Sequence, residues 1–241
     1  MLIDWKLLLS SPFYLNKSEI RKCLAEWGGE LRGTVLDVGC GSRTYRRLLT
    51  SCEWYIGLEY NPSMHPDVVG SALELPFAGG RVDHIISIEV LEHLPEPEQA
   101  LKEMARVSRT GGKLILSTPM TWYLHYEPDD YFRYTRYGLS YLLNKAGYHI
   151  VEIEKTGGFW TIVLSRMVEV FFQFFYQLTL PIRWLTGQDR GRHRLAVLLT
   201  LPVSLFAVLS RAILESKNSP YVQGWVILAE KVALSNSSNN V

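Results

Sequence analysis

Residues 35–45 read VLDVGCGSRTY: an apolar run, an acid at Asp37, then Gly39 and Gly41 two apart. A strand that ends in an acid and runs into small residues brings bare backbone to a ligand. Glycine lacks the Cβ that would block both the sharp turn and the close approach. A second apolar stretch, Trp54–Leu58, ends at Glu59, 22 residues after Asp37. At the end of the next strand, this carboxylate can accept hydrogen bonds from both hydroxyls of a ribose. A glycine turn followed by an acid about 20 residues on predicts a nucleotide-type cofactor on a doubly wound α/β sheet.

The same stretch argues against a dinucleotide. A pyrophosphate site wants a third glycine three residues after the second, so that a helix N terminus can receive the phosphates. Here that position is Thr44, between Arg43 and Tyr45. No Gly-Lys-Ser/Thr follows, so a P-loop is absent. A cofactor that carries adenosine without phosphate fits better, and S-adenosylmethionine is the common one.

Further segments sharpen the reading: YIGLEYN (55–61), ALELPF (72–77), VDHIISIEVLEHL (82–94), ALKEMARVSRTGGKLILSTP (100–119) and YGLSYLLNKAGY (137–148). With VLDVGCGSRTY, and in this order and spacing, they resemble the class I S-adenosylmethionine-dependent methyltransferases of the broad type-11 group, over about residues 30–155. GCGSRTYR together with HYEPDDYFRYT (125–135) resembles a subgroup associated with bacterial surface-glycan and lipid pathways. The resemblance implies a doubly wound, seven-stranded Rossmann-like sheet. It makes GWVILAEK (224–231) the last strand, running antiparallel. It also implies roles. Asp37 would orient the amino-acid end of S-adenosylmethionine; Gly39, Cys40, Gly41 and Tyr45 would form the loop around it. Glu59 and Tyr60 would meet the ribose, Ala72 and Leu73 the adenine edge, and Glu89 the methionine end. Many relatives carry Asp where this chain has Ser71.

Composition sets outer bounds. The 241 residues suffice for one α/β domain with an elaboration. Lys+Arg 25 against Asp+Glu 24 leaves a formal charge of +1, and no long basic run suggests a nucleic-acid partner. Cys23, Cys40 and Cys52 are scattered without metal spacing and suit a reducing compartment. The opening MLIDWKLLLSSPFYL carries Asp4 and only Lys6 as a positive charge, which makes a poor signal peptide. It reads as a helix or arm on the domain, with a membrane-touching element as the alternative.

Periodicity predicts a helix over 16–27, strands at 34–38 and 54–58, and a helix near 43–51 between them. Further strands are expected at 68–69, 83–88, 113–117 and 149–155, with helices over 97–109 and 137–145. Residues 235–241 (SNSSNNV) are a polar tail.

Between the strands at 149–155 and 225–231 a plain sheet needs a short loop, yet some 65 residues intervene. They hold two long apolar segments, 159–181 and 195–214. An unstructured connector of that length is improbable, so a helical hairpin is inferred. The expected division is a methyltransferase domain of 1–158 with 219–241, and an inserted hairpin of 159–218. Arg166, Glu169, Gln173 and Gln177 fall on one narrow stripe of the first helix. The arginine-rich connector (Arg183, Arg190, Arg192, Arg194) would prefer the cytoplasmic side. These features favour a monotopic hairpin lying in the inner membrane surface over one that crosses it. The other readings are a spanning hairpin and a dimer interface or lid.

For chemistry, methyl transfer chiefly requires alignment of the two partners. An oxygen or nitrogen nucleophile also wants a base. His125, His93 and Asp129 are the catalytic candidates, and Tyr131, Arg133 and Tyr134 the substrate-binding ones. A plain Asp130–Arg133 pairing is the structural alternative for the loop. The sulfonium is already activated, so no metal is expected. Glu89, Glu92 and His93 (E-x-x-E-H) are weak metal candidates, because a similar cluster holds a divalent ion in some ubiquinone-pathway O-methyltransferases.

The expectation is thus a cytoplasmic, peripheral O-methyltransferase acting on a lipid-linked, glycolipid or otherwise apolar acceptor. A soluble homodimer methylating a small metabolite, a cofactor-binding scaffold without turnover, and a dinucleotide oxidoreductase are the alternatives.

Overall fold

A computed structural model describes residues 14–179, 189–216 and 218–233. The backbone divides into two compact units, one of Arg21–Glu154 with Gly224 onward, the other of Lys155–Gln223 with the helical residues before Arg21.

The first unit is a seven-stranded sheet in the order β3-β2-β1-β4-β5-β7-β6. Its strands are β1 (Gly33–Val38), β2 (Cys52–Glu59), β3 (Val68–Val69), β4 (His84–Ile88), β5 (Lys113–Pro119), β6 (Tyr148–Lys155) and β7 (Gly224–Lys231). β1 pairs parallel with β2 and β4, and β4 parallel with β5. β7 runs antiparallel beside β5, with Lys113 opposite Glu230. The central strands are continuous apolar runs because both faces are covered, as parallel sheets require. β4 is buried along its whole length.

Helix α1 (Tyr14–Gly28) ends at the Gly28–Gly29 pair. Helix α2 (Pro97–Val107) opens with proline at its first turn, where a missing N–H costs nothing. It buries Ala100, Leu101, Met104, Ala105 and Val107, one side of a 3.6-residue period. Helix α3 (Arg136–Lys145) is capped by Thr135, whose hydroxyl accepts the Gly138 N–H at 3.1 Å. Leu101 and Met104 of α2 join Leu36, Ile85, Leu114 and Ile227 of the sheet in one core.

The expected helix near 43–51 is absent. Only a single 3₁₀ turn, Arg46–Leu48, follows the glycine loop. Arg43 sits in the left-handed region at φ 58, which no helix continues through. β2 then begins at Cys52.

In the second unit, α4 (Phe159–Leu178) and α5 (Asp189–Leu214) pack as an antiparallel pair. Leu164 and Val168 meet Ala207 and Val208, whereas Phe172 meets Ala196 and Val197. Glu215 accepts both the N–H and the hydroxyl of Thr161, at 2.7 and 2.6 Å. Leu15 of α1 joins this cluster, and Glu19 pairs with the buried Arg211 at 2.6 Å. The first turns of α1, up to Ile20, thus pack with the hairpin, whereas the expected boundaries place them in the methyltransferase domain. The second helix also begins earlier than expected, so Arg190, Arg192 and Arg194 are helical, while Arg183 and residues 1–13 lie outside the described residues.

Leu101 is fully buried in the sheet unit. Leu101→Ala should therefore lower unfolding free energy by about 2–5 kcal/mol, read as a lower urea midpoint at unchanged slope.

Candidate functional site

The glycine loop is pinned to the end of β2. Gly39 and Cys40 N–H groups both donate to the Leu58 carbonyl, at 2.9 and 3.0 Å. The Gly41 N–H donates to Glu59 Oε2 at 3.1 Å. Glu59 Oε1 accepts the N–H groups of Tyr60 and Asn61, at 3.0 and 3.3 Å. Gly39 and Gly41 need glycine for different reasons. At Gly39 (φ 75) a Cβ would collide with the Val90 side chain. At Gly41 (φ 48) a Cβ would meet nothing within 4 Å among the described residues, so bare backbone faces open space there.

Asp37, at the end of β1, is 3% exposed. Burial pushes its carboxyl up to about 7; the Tyr55 hydroxyl, donating at 2.5 Å, opposes the shift, and the Glu59 charge adds to it. Burial likewise pushes the Tyr45 hydroxyl up to about 12, with Glu89 and Asp37 among the charges that act on it. Cys40 is a buried thiol pushed up to about 11, too inert for a nucleophile. Glu89 follows β4 at φ 56 and accepts the Ser117 hydroxyl at 2.9 Å. Asp37, Gly39, Cys40, Gly41, Tyr45, Glu59 and Glu89 thus occupy the carboxyl ends of β1, β2 and β4, where ligands bind such sheets.

The adenine-edge candidates are locally committed. Ser71 Oγ accepts the Leu73 N–H at 3.1 Å, the Leu73 carbonyl accepts Gln99 Nε2 at 3.3 Å, and Ala72 is buried. Tyr60 has an exposed ring. Two participants escaped the sequence reading. Tyr55 holds Asp37 from within β2. Asp67 accepts the Gly57 N–H at 2.8 Å and pairs with Arg43 at 3.1 Å, bracing the loop. An inward residue on an apolar strand and a polar turn residue carry no signal of their own.

Beyond β5, the loop of residues 120–135 folds over the 3₁₀ turn Leu91–His93. The N–H groups of Tyr131 and Phe132 both donate to the Glu92 carbonyl. His93 Nδ1 lies 2.6 Å from the Asp129 carbonyl, and the His93 and His125 rings are 4.7 Å apart, edge to face. Burial, then the neighbouring His93, lowers the His125 pKa, which leaves that imidazole neutral at pH 7. Beside the pair lies Glu92, fully buried, with no hydrogen-bond partner on either carboxylate oxygen among the described residues. Burial and the Glu89 charge hold its pKa well above the carboxylate range.

Three candidates change role. The five N–H donors of Arg133 go to Asp130, to which they are bidentate, and to the carbonyls of Trp122, Tyr123 and Phe132. No donor is left for a substrate phosphate; Arg133 is a loop clamp, and its pairing holds Asp130 well below the usual carboxylate range. Tyr134 is a core residue whose hydroxyl donates to the Leu91 carbonyl at 3.2 Å. Asp129 presents its backbone carbonyl to His93, while its carboxylate accepts the Tyr131 hydroxyl at 3.1 Å. The metal candidates are also regrouped: Glu92 and His93 converge with His125, not with Glu89.

The comparisons agree with this architecture. Residues 36–116 match the methyltransferase domain family. A protein of Mycobacterium sp. (strain KMS), described as an uncharacterised methyltransferase, is 40% identical over 95 residues, covering 35% of this chain and 38% of the relative. The chain therefore spans well under half the length of such curated relatives. Among solved structures, Haemonchus contortus phosphoethanolamine N-methyltransferase 2 with S-adenosyl-L-methionine superposes with a TM-score of 0.59 at 13% identity, over 89% of this chain and 53% of that one. The [4+2]-cyclase SpnF does so with 0.57 at 16% identity, over 89% and 80%. Over residues 36–116 the chain is thus similar to the methyltransferase domain family, and its sheet shares the fold of these solved structures.

Asp37 keeps its proton to about pH 7 in the fold but releases it near 3.8 ordinarily. The folded state then binds the extra proton, so this group's stabilisation fades as pH rises from about 4 to about 7. The thermal midpoint of wild type minus that of Asp37→Asn should decline over this range and level off above it. A flat difference would refute the assignment.

Proposed function

We propose that the protein transfers the methyl group of S-adenosylmethionine to an oxygen of an apolar or lipid-linked acceptor at a membrane surface. The observation that carries the cofactor half is the open backbone at Gly41 between two carboxylates, Asp37 and Glu59. This acceptor set fits a ligand with an ammonium and sulfonium at one end and ribose hydroxyls at the other. The absence of a helix N terminus after the loop, among the described residues, removes the usual reason for binding a pyrophosphate there. When bound, the cofactor supplies an activated methyl group. The chain's own task is to hold an acceptor oxygen in line and receive its proton. The neutral His125, edge to face with His93, suits the second role.

The membrane half rests on the second unit. On α4 three stripes follow one another around the axis, each about a third of a turn wide. Thr161, Leu164, Val168 and Phe172 are buried; Arg166, Glu169, Gln173 and Gln177 are polar; Met167, Val170, Phe171, Phe174 and Leu178 are apolar and exposed. On α5 the outward stripe of Leu198, Leu199, Phe206, Leu209 and Ile213 carries no charge. Both α4 and residues 193–214 are long and apolar enough to cross a membrane. Apolar stripes of this extent are unfavourable in water, and the polar stripe beside them on α4 suits a helix lying in the interface. Such a surface would bring the protein to an acceptor that resides in lipid, on the cytoplasmic leaflet. A second copy is the competing occupant of the same stripes.

Two experiments test these halves separately. Labelled S-adenosylmethionine incubated with membrane lipid extract should yield labelled lipid with wild type. Glu59→Ala should bind the cofactor roughly 10- to 100-fold more weakly, by loss of charge-assisted hydrogen bonds. Calorimetry showing no cofactor binding by wild type would overturn the reading. In flotation with anionic vesicles wild type should rise with the lipid, and Phe174→Glu/Phe206→Glu should stay in solution. Solubility without lipid as a stable dimer would favour the second copy.

A further inference from the structure

Glu92 poses the sharpest physical problem in the sheet unit. It is 0% exposed, and neither oxygen has a hydrogen-bond partner among the described residues. Burying a carboxyl this way costs several kcal/mol unless something compensates. Its neighbours do not supply a donor in place. His93 Nε2 is 3.8 Å from Glu92 Oε1, beyond a hydrogen bond. Arg133 is saturated by Asp130 and three carbonyls.

We infer that Glu92, His93 and His125 form a binding site for a first-row divalent transition-metal ion. One ligand atom from each lies within 4.8 Å of the others. Metal bonds of about 2.0–2.2 Å bring ligand atoms to about 3–3.5 Å of one another, so side-chain adjustments of about 1 Å close the set. Two imidazoles with one carboxylate favour zinc, cobalt or iron over magnesium or calcium, which prefer all-oxygen shells.

The surroundings are those of a metal site. The other nitrogen of His93, Nδ1, is held at 2.6 Å by the Asp129 carbonyl, which fixes the ring with Nε2 toward Glu92. His125 is positioned by Asp130, which accepts its backbone N–H at 2.9 Å and is itself clamped by Arg133. Asp130 Oδ2 lies 3.2 Å from His125 Nδ1 but out of line for a hydrogen bond. Three protein ligands leave coordination positions for an oxygen of another molecule. In that last respect the site rests on the methyltransferase reading, with His125 serving as ligand in place of base: the open position would hold an acceptor hydroxyl and ease loss of its proton. The sequence reading expects no metal because the sulfonium is already activated, with Glu89, Glu92 and His93 as weak candidates; His125 arrives from a separate loop.

The test uses metal alone. Chelator-treated full-length protein is titrated with Co²⁺, following visible absorption, and dialysed against Zn²⁺ with metal analysis. Wild type should bind one equivalent, with cobalt bands of a low-coordinate site. His125→Ala and Glu92→Gln should each weaken binding roughly 100-fold or more. Calorimetry with S-adenosylmethionine is run on the same preparations. Retained cofactor binding in His125→Ala shows that its fold is intact, whatever Glu92→Gln does. Less than stoichiometric metal in wild type, or unchanged affinity in His125→Ala, overturns the site. Metal bound without cofactor binding would instead leave the site standing and sink the methyltransferase reading.

Discussion

The sheet unit depends on a bend of bare backbone tied to the strand beside it. Three successive N–H groups, those of Gly39, Cys40 and Gly41, are taken by the Leu58 carbonyl and the Glu59 carboxylate. Glu59 therefore has two jobs: it closes the loop and it offers a carboxylate at the end of β2. Gly39 is squeezed against Val90, so the same bend also sets the distance to the segment that follows β4. That segment carries Glu89, Glu92 and His93. A loop tied down in this way has little ordering left to do on binding.

The segment beyond β5 is built differently. There a loop, not a strand end, brings chemistry in, and it is rigid because Arg133 spends every donor within it. An arginine fork saturated in this way positions without binding. The clamp keeps Asp130 ionised and holds the backbone of His125. Polar groups that looked available for substrate in the sequence are thus consumed in shaping the loop, and the imidazoles are what they present.

The cofactor side was legible because its signals are local. A strand, an acid, a spaced glycine pair and a second acid lie within 25 residues of sequence. Strand and helix positions followed from periodicity, and the antiparallel seventh strand from the resemblance. The helix near 43–51 was misread because apolar spacing in RRLL carries no information about the left-handed Arg43 before it. Tyr134 and Arg133 were misassigned for a related reason: in HYEPDDYFRYT the inward and outward residues do not alternate, so burial is set by the tertiary path of the loop. The convergence of His125 on Glu92 joins residues 33 apart on separate segments, and no short-range pattern encodes it. The hairpin was legible from composition and length alone, while its three-striped first helix needed the packing partner to separate buried from exposed apolar residues.

The second unit is spliced into the chain between two strands that are neighbours in the sheet, β6 and β7. Closing so long an excursion has a cost that grows only logarithmically with its length, about 0.6 kcal/mol per doubling. The strand register of β7 against β5 is fixed by its own apolar sequence. The excursion is therefore a cassette: evolution or an engineer can lengthen, shorten or exchange it at its two stems with little penalty to the sheet.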